Sequence, residues 1–112
     1  MPAGARTPEE LEALFEDAYL LRDDRALVEL FEARATLAVD GGVRVARGGA
    51  EISRLARELW QHNVVYVSDP ERVLQAHDTA LVLAPGGINV AHRGRDGTWR
   101  YAISVRGLDG AR

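Results

Sequence analysis

The chain has 112 residues, of which 46% are hydrophobic and 28% charged, and its formal net charge is -3. That length supports one buried core without staples, and the acidic balance leaves no broad basic footprint for a nucleic-acid backbone. The absence of cysteine excludes a disulfide framework, a thiolate zinc site and a cysteine nucleophile, and is consistent with a reducing, cytoplasmic compartment.

Residues 1–6 read as a flexible leader with no apolar signal region, and no run approaches the ~18 apolar residues of a membrane span. A helix starts at Thr7-Pro8-Glu9-Glu10, where Thr7 caps, Pro8 fits the first helical position and Glu10 completes a capping box. Leu11, Leu14, Phe15, Ala18 and Leu21 then recur at helical spacing as an inward stripe. Asp23 or Asp24 caps a short second helix with Leu27, Leu30 and Phe31 inward. Residues 35–39 suit a strand, Asp40-Gly41-Gly42 a hairpin turn and residues 43–46 the returning strand. Residues 50–60 read as a third helix, with Ile52, Leu55, Ala56 and Leu59 inward.

From His62 the period drops to two. A strand over 64–68 is interrupted at Asp69-Pro70 and resumes over 72–76; strands follow at 79–84, 88–93 and 99–105, with turns at Pro85-Gly86-Gly87 and 94–97. Residues 108–112 read as a flexible tail, which leaves a single domain over 7–107. Helices bunched early and strands bunched late indicate an α+β fold: three helices on a curved, mainly antiparallel sheet of about six strands.

Three segments, Asp23-Asp24-Arg25-Ala26-Leu27-Val28-Glu29-Leu30-Phe31, Ala35-Thr36-Leu37 and Arg47-Gly48-Gly49-Ala50-Glu51-Ile52, stand in an order and spacing shared with a known family, as does the ending Asp96-Gly97-Thr98-Trp99-Arg100-Tyr101. Over about residues 8–106 the chain resembles the nuclear transport factor 2-like superfamily, and within it the SnoaL-like and ketosteroid-isomerase-like proteins. The resemblance implies a cone-shaped, cystatin-like α+β barrel with a pocket open at one end, and a homodimer through the sheet. Functions within such a fold range from isomerases, cyclases and hydrolases to binding modules, so the fold does not settle the function. The short Pro85-Gly86-Gly87 turn departs from the longer hairpin of many relatives and predicts a shallower cone.

The proton shuttle of the family's steroid isomerases is mostly missing. Phe15 stands at the position of their tyrosine, Val39 at that of their base with Asp40 one residue away, and Asn89 at that of their late aspartic acid. Asp40 and His62 remain the candidate catalytic residues, although Asp40 also suits its turn and His62 a helix-to-strand junction. Phe15, Tyr19, Trp60, Tyr66, Asn89 and Tyr101 are the candidate ligand-binding residues: aromatic walls, hydroxyls and one amide. Asn89 and Ala91 share a strand face, His92 takes the opposite one, and Arg93, Arg95, Arg100 and Arg106 read as a solvated edge. The three histidines lack metal-ligand spacing and no glycine pair forms a phosphate loop, so no metal or cofactor is expected.

The expected function is a SnoaL-like domain that binds a small, largely apolar molecule in the cone pocket, with no nucleic-acid or membrane partner. The alternatives are a cyclase, isomerase or hydrolase using Asp40, His62 or a pocket tyrosine, and a dimeric interaction domain with a filled cone.

Overall fold

Thr7 begins the first helix by accepting the backbone N–H of Glu10 on its hydroxyl at 3.0 Å, with Pro8 in the first turn. The computed structural model describes residues 4–39, 42–64, 72–85 and 87–107. Within them α1 spans Pro8–Leu20, α2 Asp24–Val28 and α3 Gly48–Gln61. The strands are β1 (Phe31–Val39), β2 (Arg44–Arg47), β3 (Arg72–Ala76), β4 (Thr79–Ala84), β5 (Gly87–Arg93) and β6 (Trp99–Val105). Asp23 caps α2, its carboxylate accepting the N–H of Ala26 at 3.1 Å.

The six strands form one mixed sheet in the order β2-β1-β6-β5-β4-β3. Hairpin-linked neighbours are antiparallel, whereas β6 returns after the β3–β5 meander to lie parallel to β1. The helices cover one face: α3 packs on β1 and β2, and α1 reaches β6. The core lies between, around Leu11, Phe15, Leu37, Ile52, Trp99 and Tyr101. No helix among the described residues is long and apolar enough to cross a membrane.

Several boundaries differ from the sequence reading, each for a local reason. Phe31 starts β1 instead of closing α2: Tyr101 donates its N–H to the Leu30 carbonyl at 2.8 Å, which draws Phe31 into register with Tyr101. Leu21 lies past the end of α1 and is 78% exposed rather than inward. Ala5, placed in the leader, is buried and bridged to Trp99, whose N–H donates to its carbonyl at 2.9 Å. Gly48 adopts φ +80°, which glycine does without strain, and so starts α3 two residues early. Asp40, Gly41, Gly86 and the strand expected over 64–68, beyond Val64, lie outside the described residues.

One irregularity positions the interior. Val90 pairs with Ile103 but Ala91 pairs with Tyr101, so β6 carries one extra residue, Ala102, opposite β5. Such a bulge shifts side-chain parity by one. Before it Trp99 and Tyr101 point inward, and after it Ser104 and Arg106 do.

Candidate functional site

The bulge brings a polar cluster into the cone. The guanidinium of Arg106 donates from Nη2 to Glu12 Oε2 at 3.2 Å and from Nε to Ser104 Oγ at 2.8 Å. Ser104 donates in turn to Asn89 Oδ1 at 2.6 Å, across the β5–β6 pair. The Tyr101 hydroxyl donates to the same Glu12 oxygen. Phe15 closes the cluster, its ring centre 3.6 Å from the Arg106 guanidinium carbon. All six side chains are 0–3% exposed.

Each is held by its element. Glu12, Phe15 and Tyr19 share one face of α1, and the Arg106 N–H donates to the Ala38 carbonyl at 3.0 Å, which extends the β1–β6 pairing past β6. Glu12 and Arg106 offset one another's charge in the dry interior. Burial pushes the Tyr101 hydroxyl well above 10; the negative charge of Glu12 adds to this and Arg106 opposes it. The phenol therefore stays protonated and acts as a donor.

Of the six residues expected to bind a ligand, the structure brings Phe15, Asn89 and Tyr101 together. Tyr19 and Trp60 form a second aromatic pair, with ring centres 5.6 Å apart, joined to the first through Phe15 and Tyr19 at 6.1 Å. Tyr19 donates its hydroxyl to the Val64 carbonyl at 2.7 Å, and its pKa is pushed up to about 12, chiefly by burial. Trp60 Nε1 is buried without a hydrogen-bond partner among the described residues. Tyr66 and Asp40 lie outside the described residues. His62 is exposed at the end of α3, away from the cluster, and its ring has no hydrogen-bond partner among the described residues. His92 faces the outer side of the sheet, with Nδ1 3.1 Å from Glu32.

Glu12 and Arg106 escaped the sequence reading. Arg106 was assigned to a solvated edge, and it is buried because Ala102 reverses the alternation. Glu12 left one usable signal: it stands within the apolar arc of α1, three residues before Phe15 and seven before Tyr19.

Two cavities lined by described residues lie elsewhere. One, of about 320 Å3, is a groove between β2 and α3 edged by Arg44, Arg54 and Glu58. The other, of about 420 Å3, runs between α1 and α2.

No family model and no curated protein sequence matches the chain. Solved structures do match. A ketosteroid isomerase-like protein from Erwinia carotovora atroseptica is 15% identical with a TM-score of 0.71, over 87% of this chain and 89% of that one. An NTF2-like protein with a cystatin-like fold from Novosphingobium aromaticivorans is 24% identical with a TM-score of 0.69, over 91% and 80%. A protein assigned as a calcium/calmodulin-dependent protein kinase type II association domain, from Thiobacillus denitrificans, is 14% identical with a TM-score of 0.73, over 95% and 98%. The chain has the nuclear transport factor 2-like fold. In this example of that fold the cone interior holds the Glu12–Arg106 cluster, and the outer face of the sheet is uncovered among the described residues.

Proposed function

We propose that this chain is a self-associating interaction domain whose cone is filled by its own side chains. The observation that carries this reading is an apolar row on the outer face of the sheet. Leu74, Leu81, Val90 and Ile103 are successive cross-strand partners over four strands, and Leu83, Ile88 and Val105 form a second row beside them. Leu74, Ile88 and Ile103 are each about half exposed. An apolar face of this extent, uncovered among the described residues, marks an interaction surface, and a second copy offers the same rows in a twofold, self-complementary arrangement. Arg72, His92 and Arg100 edge the rows with polar side chains, as the rim of an interface requires. The likeness to a kinase association domain supports the same reading at the level of fold.

Sedimentation velocity at micromolar concentration tests it. A species of two 12.3 kDa chains is expected, and the double variant Val90→Lys/Ile103→Lys should sediment as one chain with unchanged helical circular dichroism. A wild-type monomer would sink the proposal.

A second reading, a small and largely apolar ligand held in the cone, is favoured by Trp60 Nε1. A buried donor without an acceptor costs about 1–3 kcal/mol, which a ligand oxygen or a bound water removes. Native mass spectrometry before and after denaturation separates the two readings: releasable extra mass supports the ligand, and a bare dimer supports the filled cone.

A further inference from the structure

The groove between α1 and α2 lies on the helical side of the molecule, opposite the apolar rows. Leu14 and Ala18 from α1 and Ala26 and Leu30 from α2 and its end form its floor. Glu10, Asp17, Asp23 and Glu29 form its rim, and Leu21, 78% exposed, stands at one end. Residues 7–30 hold eight carboxylates and two arginines, and four of those carboxylates line this groove while neither arginine does. Glu10 accepts the N–H of Arg6 and Asp23 caps α2, whereas the side chains of Asp17 and Glu29 have no partner among the described residues. Of the two arginines, Arg22 is turned to Asn63, its Nη2 3.3 Å from Oδ1.

We propose that this groove is a docking site for a short amphipathic basic segment of a partner protein. Its apolar residues would cover the floor and Leu21, and its lysines or arginines would meet the rim. Charge complementarity selects this occupant: the same carboxylates repel an anionic membrane surface and a nucleic-acid backbone. The floor and rim run from Glu10 to Leu21, about 16 Å along a helix axis, which matches roughly three turns of a helix laid in a groove. Because the site and the apolar sheet rows occupy different faces, a dimer would present two such grooves.

The test uses the full chain and fluorescent, end-capped helical peptides of ~12 residues, with leucines at helical spacing on one face and lysines on its flanks. Anisotropy should show saturable binding that weakens with salt, and the same peptide with glutamate for lysine should not bind. The double variant Asp17→Lys/Glu29→Lys should weaken the lysine peptide by at least about tenfold, and Leu21→Ser by a smaller factor. The control Glu51→Lys/Glu58→Lys places the same charge change on α3 and should leave binding within about twofold. Circular dichroism confirms that each variant is folded. Equal weakening by the two double variants would reduce the effect to attraction toward an acidic chain and overturn the proposal. Absence of saturable binding by the lysine peptide would overturn it as well.

Discussion

Glu12 and Arg106 form the ion pair on which the interior depends, and the physics of buried charge states what its loss should do. Removing one partner strands the other charge in a dry core at a cost of about 3–5 kcal/mol, while replacing both with apolar groups of similar size is often neutral. Arg106→Met and Glu12→Leu should therefore each destabilise the protein by that amount in urea unfolding. The double variant should recover most of the loss, and additive losses would show that the two side chains act independently. The neighbouring tyrosines give a second signature. Their pKa values are raised by folding, so the associated stability is complete below the unfolded value of about 10 and falls as pH rises toward the folded values. Ultraviolet tyrosinate absorbance should show Tyr19 titrating near pH 12, with Tyr101 ionising only as the protein unfolds.

At the scale of elements, the bulge in β6 and the tight β4–β5 hairpin are the sensitive points. Deleting Ala102 would restore strict alternation and turn Ser104 and Arg106 outward, so the deletion variant should lose cooperative unfolding in a calorimetric scan. Gly87 pairs with Ala84 across a two-residue connection, and a Cβ there would stand 2.5 Å from the Val105 carbonyl oxygen. Gly87→Ala should consequently destabilise the sheet in urea unfolding, although its exposure alone predicts little effect. The β5–β6 turn is tied by Asp96, which accepts the Thr98 hydroxyl at 2.7 Å and the Thr98 N–H at 3.0 Å and pairs with Arg100 at 3.2 Å. These contacts, the Thr98 hydroxyl foremost, hold its carboxyl well below the ordinary range. A carboxyl depressed by folding stabilises above its unfolded value near 4 and loses that contribution as pH falls through the folded value. Asp96→Asn should thus be less stable than wild type at neutral pH, with the difference shrinking as the solution is acidified below about 4.

Among the described residues the helices cover one face of the sheet and leave the other uncovered. The three helices and the succession of the described strands along the chain were legible from caps, turn residues and hydrophobic periods, because Thr7, Asp23 and the alternation over 79–84 and 88–93 act through neighbours in sequence. So was the pairing of Asn89 and Ala91 on one strand face, since alternation is local. The interior was only partly legible. Phe15, Asn89 and Tyr101 meet there, but Glu12 and Arg106 are 94 residues apart, and a bulge set by cross-strand register turns the arginine inward. By itself, then, the sequence determined the elements, their order and the α+β class, since caps, turns and periodicity operate over a few residues. Only the tertiary structure decided which charges are buried, that the polar cluster occupies the cone and that the apolar rows face outward. Those outcomes depend on strand register and helix packing, through which residues far apart in the chain share one dry interior.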